Sequence, residues 1–316
     1  MRALVTGCAG FIGSNLTDHL LKNGHEVIGI DCLTNYYSHE IKRKNITHAL
    51  KNPHFTFFQW DLLEMNTYPD VDVVFHLAAQ AGVRVSWGVD FSIYCRNNIE
   101  STQRLLEWYK DKNLKKFVYS SSSSVYGDVP LPMNEDMKLQ PVSPYGVTKL
   151  AAEHLCYLYW KNFSLPTVSL RYFTVYGPRQ RPDMAINKFV NAILNGNSIT
   201  VYGDGNQTRD FTFVSDVVEA DILASASASP GSVFNIGGGS RITVNELIDE
   251  LAKTIGKPAK VTFAEQQIGD VIDTLADITK ADSILGWKPG VSIREGVRKY
   301  VQWYLGDTNN GKDEPI

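Results

Sequence analysis

The sequence predicts an α/β chain: a doubly wound parallel sheet covered by helices on both faces, then a smaller C-terminal α/β lobe. Three observations predict it. Short apolar runs alternate with longer stretches of helical periodicity over the first 172 residues, a glycine-rich turn joins the first strand to the first helix, and beyond Gly177 the pieces become shorter and richer in turns.

The strands expected in the first part are 2–6, 26–31, 55–60, 71–77, 116–120 and 167–172. Each is a short apolar run bounded by turn residues, as strands buried on both faces are. Between them, 12–23 places Ile12, Leu16, Leu20 and Leu21 on one helical face, 98–112 does so with Ile99, Leu105, Leu106 and Tyr109, and 145–163 with Leu150, Leu155, Leu158 and Tyr159. Strand–helix alternation of this kind makes a parallel sheet. Past Gly177-Pro178, Gly203-Asp204-Gly205 and Gly237-Gly238-Gly239, helices resume at 185–195, 244–255 and 292–304. This reading divides the chain into a first domain at 1–172, to which the chain returns around 208–235, a second lobe over 173–305, and a polar tail at 306–316.

Composition narrows the class. The 316 residues carry 31 Lys+Arg against 34 Asp+Glu, a net charge of −3, with 43% hydrophobic and 21% charged residues. That balance gives no reason to expect nucleic acid or an anionic membrane as partner. No apolar run approaches the roughly 20 residues of a membrane span. Glycines follow the first apolar residues at once, so no secretory leader is expected. Cys8, Cys32, Cys95 and Cys156 are scattered without metal-ligand or disulfide spacing. Reduced thiols in a cytoplasmic protein are the expectation, with no bound metal.

The turn Thr6-Gly7-Cys8-Ala9-Gly10-Phe11-Ile12-Gly13 has the spacing G-x-x-G-x-x-G between a strand and a helix. Gly7 permits a tight turn, Gly10 lets the backbone approach a pyrophosphate, and Gly13 allows close helix–strand packing, while the N–H groups of the helix start face the phosphates. In that context the turn reads as a Rossmann-type dinucleotide site. Asp31 ends the second strand, about where such folds keep the acid that receives the adenosine ribose hydroxyls, which favours NAD over NADP. Lys42 and Arg43 lie too far along to be an obvious 2′-phosphate site.

Tyr145 and Lys149, at i and i+4, share a helix face. An ammonium beside a phenol favours the phenolate, so Tyr145 is a candidate general base with its pKa pulled from ~10 toward neutrality. The run Ser120–Ser124 offers hydroxyls to complete the site.

Together these features resemble the extended short-chain dehydrogenase/reductase family, from Leu4 to about Tyr304. The marks are T-G-C-A-G-F-I-G, Asp61-Leu62, His76-Leu77-Ala78-Ala79, the serine run before Val125-Tyr126-Gly127, Tyr145 with Lys149, and Arg171-Tyr172-Phe173. The resemblance makes Ser122 the catalytic hydroxyl, with Ser123 as substitute, and gives Lys149 a second role on the nicotinamide ribose. It places Asp61 and Leu62 at the adenine, Leu77, Ala78, Ala79 and Gln80 along the cofactor, and Ser120, Phe173 and either Asn97 or Asn98 close to it.

Within that family the second lobe looks like a nucleotide-sugar site. Val201-Tyr202-Gly203-Asp204-Gly205 followed by Thr208-Arg209-Asp210 resembles the segment that cradles base and diphosphate, with Arg209 on phosphate, and Gly269-Asp270 resembles the segment that holds the nucleotide ribose. Gln267 stands where galactose-type epimerases often carry a second arginine. The stretches 82–88, 98–103 and 171–185 look like UDP-glucuronate 4-epimerases. A uronate brings a carboxylate, and Thr174, Arg181, Ser123 and Ser124 are donors suited to it, with Arg84 and Lys188 as further substrate-binding candidates. The competing reading pairs Arg179 and Arg181 with Asp183 or with the diphosphate. The implied activity is NAD-dependent C4 epimerisation of UDP-glucuronate. Alternatives are a UDP-glucose/UDP-galactose or N-acetyl 4-epimerase, UDP-glucuronate decarboxylase, and a non-catalytic NAD-binding regulator. A 4,6-dehydratase is a weaker alternative, because such enzymes carry an Asp-Glu pair in the serine segment where this chain has Ser123-Ser124. The resemblance also implies a homodimer, with Trp108, Leu155, Tyr159 and Trp160 as contact candidates.

Overall fold

The computed structural model describes residues 1–310, with side chains to Gly306. The glycine turn sits between β1 (Arg2–Thr6) and α1 (Phe11–Lys22); β2 (Glu26–Ile30), α2 (His39–Asn45), β3 (Phe55–Phe58) and β4 (Val73–His76) follow. The segment expected as one helix over 98–112 is the end of a π-helical stretch, Cys95–Glu100, running into α4 (Ser101–Tyr109), with α3 (Phe91–Tyr94) ahead of both. Then come β5 (Lys116–Ser122), two residues longer than expected, α5 (Pro144–Phe163) and β6 (Thr167–Tyr172).

The remaining elements are β7 (Thr174–Tyr176), α6 (Ala185–Asn195), β8 (Ser198–Tyr202), β9 (Thr208–Phe213), α7 (Val214–Ser227), β10 (Ser232–Ile236), β11 (Arg241–Thr243), α8 (Val244–Ile255), β12 (Lys260–Ala264) and α9 (Ile293–Asn310). The tail expected from 306 is helical as far as Asn310. The rest of that expectation, 311–316, lies outside the described residues.

Among the described residues seven strands form a parallel sheet in the order β10-β6-β5-β4-β1-β2-β3. Side chains alternate along β1. Ala3 and Val5 pack with Leu16 and Leu20 of α1 and Val217 and Ala220 of α7, whereas Leu4 packs with Leu105 and Leu106 of α4 and Ala152 and Cys156 of α5. Two covered faces explain why the strand sequences read as unbroken apolar runs. β10 pairs with β6, Ser232 opposite Val168. A third cluster lies in the second lobe, where Ile186 and Val190 of α6, Ile199 and Val201 of β8, Leu247 and Leu251 of α8 and Val297 of α9 meet. Its strands form a three-stranded sheet, β11-β9-β7, and the parallel pair β12-β8. Among the described residues no helix is long and apolar enough to cross a membrane.

Candidate active site

The reversal of strand order falls between β1 and β4, which leaves a crevice at the carboxyl ends of the strands. Gly7 enters it with φ +71°, and a Cβ there would meet the Ala78 nitrogen at 2.8 Å; a Cβ on Gly13 would meet the Gly7 carbonyl oxygen at 2.2 Å. Only glycine fits at either point. Gly10 caps α1 without a side-chain hydrogen bond, so the N–H groups of Phe11, Ile12 and Gly13 stay free for an anion.

One cavity runs from this turn past Asp31, Asp61, Leu62, Leu77, Ala78, Ala79, Gln80 and Asn97 to Ser120, Tyr145, Lys149, Tyr172 and Arg181. The residues expected from separate motifs thus line one cleft. Two cofactor residues do not. Asn98 is buried, its amide bonding both backbone groups of Gln80 and the Thr148 hydroxyl. Phe173 packs with Val125, Tyr126 and Met133. Side chains alternate along extended backbone, so its neighbour Tyr172 faces the cleft instead. Asp31 accepts from Ala9 N at 3.1 Å and Leu33 N at 2.8 Å; burial raises its carboxyl, which those N–H groups and Lys42 pull back. Lys42, on α2, is distant from the glycine turn in sequence, yet the loop after β2 folds back and brings it, with Tyr36 and Tyr37, into the cavity. Nothing periodic in that loop announces such a fold.

Ser143 caps α5 and Pro144 starts it, which turns Tyr145 and Lys149 toward the end of β5. The Ser122 hydroxyl hydrogen-bonds the Tyr145 phenol and accepts from Ser124 N at 3.2 Å. Burial raises the phenol, and the groups that lower it are Ser122 and Arg181. The Lys149 ammonium is itself buried, 4.6 Å above the Tyr119 ring, and is pushed down to about 7, opposed by Cys156 and Glu153. One turn on, Glu153 receives Arg171 Nη2 at 2.6 Å and the Ser121 hydroxyl at 2.6 Å, which anchors the serine strand.

Arg181 lines the cleft but is held by Asp183, Nε to Oδ1 and Nη2 to Oδ2, both 2.9 Å. Arg179 pairs not with Asp183 but with Asp18 of α1, its Nη2 2.7 Å from the carboxylate, both side chains buried. Arg84, on the loop after β4, meets Tyr202, Arg209 and Asp270 of the second lobe. Arg84 Nη2 lies 2.7 Å from Asp270 Oδ2, and its guanidinium sits 4.3 Å over the Tyr202 ring. Arg209 donates to the carbonyls of Thr208, Val271 and Ile272, so part of its fork holds backbone rather than standing free. The Val201 side chain belongs to the lobe's core. Thr174 on β7 and Ser123 and Ser124 in the turn after β5 are half-buried and lie outside the residues that line the cavity, and Lys188 is exposed on α6.

A glycine-cradled cleft that ends on the serine strand, Tyr145 and Lys149 defines a dinucleotide-dependent enzyme of the doubly wound class. The model of the NAD dependent epimerase/dehydratase family matches residues 3–237, and the chain belongs to that family. It is 41% identical over 309 residues to a UDP-glucuronate 4-epimerase of Thermodesulfobacterium geofontis, 95% of each chain being covered. It is also 41% identical over 319 residues to an uncharacterised UDP-glucose epimerase of Bacillus subtilis, covering 99% of this chain and 100% of that one. The crystal structure of UDP-glucuronic acid 4-epimerase from Bacillus cereus, in complex with UDP-glucuronic acid and NAD, superposes with a TM-score of 0.94 at 44% identity, covering 96% of this chain and 99% of that one.

Proposed function

We propose that this chain converts UDP-glucuronate to UDP-galacturonate by NAD-dependent epimerisation at C4, through a transient 4-keto sugar. The observation that carries this reading is that Tyr145, Lys149 and Arg181 line one end of the cleft whose other end is the glycine turn, with Ser122 against the Tyr145 phenol. NAD fits the cleft: free N–H groups at α1, glycines that leave no room for Cβ, and Asp31 at the second strand's end. When bound, NAD supplies the site that takes the C4 hydride and gives it back. The chain's own groups do the rest. Tyr145 takes the 4-hydroxyl proton and later returns it, and Ser122 orients the reacting oxygen. Lys149 holds positive charge beside the phenol. Arg181, its fork half-occupied by Asp183, offers its remaining N–H groups to the uronate carboxylate. Fixed donors keep that carboxylate out of line with the adjacent carbonyl, which suppresses loss of CO2.

In this reading residues 1–172, with the return around 208–235, hold the dinucleotide, and 173–305 hold mainly the nucleotide sugar. Arg84, Tyr202, Arg209 and Asp270 take the nucleotide, with Thr174, Ser123 and Ser124 on the sugar side. We place the enzyme in the cytoplasm, where four free cysteines are stable, and read it as a homodimer joined through α4 and α5. Tyr157, Leu158 and Phe163 of α5 are exposed apolar side chains, whereas the expected contact residues Trp108, Leu155 and Tyr159 pack within the monomer.

The test is proton NMR of UDP-glucuronate and UDP-glucose incubated separately with enzyme and NAD. A UDP-galacturonate anomeric signal without UDP-pentose is expected. UDP-pentose would indicate a decarboxylase, and turnover of UDP-glucose alone would reassign the 174–181 segment.

A further inference from the structure

One fully buried hydroxyl outside the residues assigned so far touches the backbone of Tyr145. Ser86 is 0% exposed. Its Oγ accepts from Tyr145 N at 3.1 Å and donates to Val83 O at 2.6 Å. Tyr145 N is one of the donors that a helix start leaves without an intrahelical partner. The next N–H, Gly146, is capped locally by Ser143 at 3.1 Å. Catalytic helix α5 is therefore capped twice, once by its own residue and once by a loop 59 positions away.

That loop is fixed to the site at its other end as well. The Tyr94 hydroxyl donates to Ala81 O at 3.0 Å and Gly82 O at 2.8 Å, and the Tyr94 ring meets the Tyr145 ring edge-on, centroids 6.3 Å apart. On its outer side the loop carries the second lobe. Arg84 pairs with Asp270, and Gly269 sits so close that a Cβ would lie 3.4 Å from Trp87 and Val83 and 3.5 Å from Ser143. The Gly269–Asp270 turn thus rests on both capping segments of α5.

We propose that Ser86 is a positioning residue that sets the place of Tyr145 and ties it to the Gly269–Asp270 turn of the second lobe. Seating of the nucleotide sugar against that turn then bears directly on the helix that carries the acid–base group. Local capping by Ser143 would suffice to start the helix; the remote cap adds a fixed distance between Tyr145 and the loop on which the second lobe rests. Displacement of a reacting group by about 1 Å costs on the order of 10²-fold in rate.

The proposal rests on Tyr145 as the acid–base group, and Tyr145→Phe is run beside it. The holoenzyme is assayed with the UDP-sugar it turns over, comparing the natural protein with Ser86→Ala, Ser86→Cys and Ser86→Thr. S86A is expected to lower kcat roughly 10- to 100-fold with KM within about threefold. S86C, a weaker acceptor, should fall between, and S86T should restore much of the loss. The acidic limb of the kcat profile should move to higher pH, because a displaced Tyr145 loses its Ser122 hydrogen bond; the other groups around the phenol are Arg181, Lys149, Tyr94 and Tyr119. S86A and Arg84→Gln should be non-additive in kcat/KM. A cap that is only structural would lower the melting temperature and leave kcat per folded molecule and the limb unmoved, and that result overturns the proposal; additivity with R84Q overturns the tie to the turn. If S86A does not fold, S86C carries the same comparison. A Tyr145→Phe enzyme that still turns over sinks the assignment of Tyr145, whereas inactive Y145F with natural kcat in S86A sinks the present proposal alone.

Discussion

At Tyr145 the substitution to Phe removes one oxygen from a hydroxyl that burial holds in its neutral form and Ser122 and Arg181 draw toward ionisation. Loss of a general acid–base group costs about 10²- to 10⁴-fold, so turnover should fall to background while circular dichroism and melting stay near natural; near-normal activity would falsify the assignment. Arg181 is the second residue to test. Its guanidinium keeps Asp183 on one edge and the cleft on the other. Arg181→Met should reduce kcat/KM on UDP-glucuronate about 10- to 100-fold more than on UDP-glucose, the worth of a charged hydrogen bond, beyond whatever loss both sugars share because the Tyr145 phenol no longer feels the guanidinium. Equal losses on both sugars would remove Arg181 from the uronate carboxylate.

Between elements, a buried acid joins α7 to the sheet. Asp221 Oδ1 accepts from the Tyr172 hydroxyl at 2.5 Å, and that hydroxyl also accepts from Ser120 at 3.2 Å. Asp221 is 0% exposed, its other oxygen has no partner, and desolvation pushes its carboxyl up to about 7. Its folded pKa exceeds the unfolded value of roughly 3.9, so the folded state holds the extra proton between about pH 4 and 7. Stability is therefore lost as pH rises through that window, and the penalty is complete above it. Asp221→Asn should remove this slope. Its stability advantage over the natural protein, measured by urea unfolding, should grow by on the order of 1–3 kcal/mol from pH 4.5 to 8.5. A pH-independent difference would mean the carboxyl stays ionised.

For the whole molecule the question is what covers α5. Val147 and Leu158, eleven residues and three turns apart, share a helix face and are 45% and 48% exposed. Light scattering should give a dimer for the natural protein and a monomer for Val147→Glu/Leu158→Glu, since two buried charges facing their own copies disfavour the joint. A double variant that remains dimeric would move the interface elsewhere.

The amino-acid order alone determined the parallel sheet, the glycine turn, and the Tyr145–Lys149 spacing, because period, turn chemistry and helix pitch are local. It placed α6 and α8 to the residue. Only the tertiary structure decided which of two adjacent residues faces the cleft: Tyr172 rather than Phe173, Asn97 rather than Asn98. A one-residue step reverses the facing of an extended chain, and the π-helical stretch breaks the pitch before α4. It also brought in Lys42, Ser86 and Asp18, whose partners lie 11, 59 and 161 positions away at Asp31, Tyr145 and Arg179. Such pairings are set by how the loops close over the sheet, and no periodicity along the chain records that.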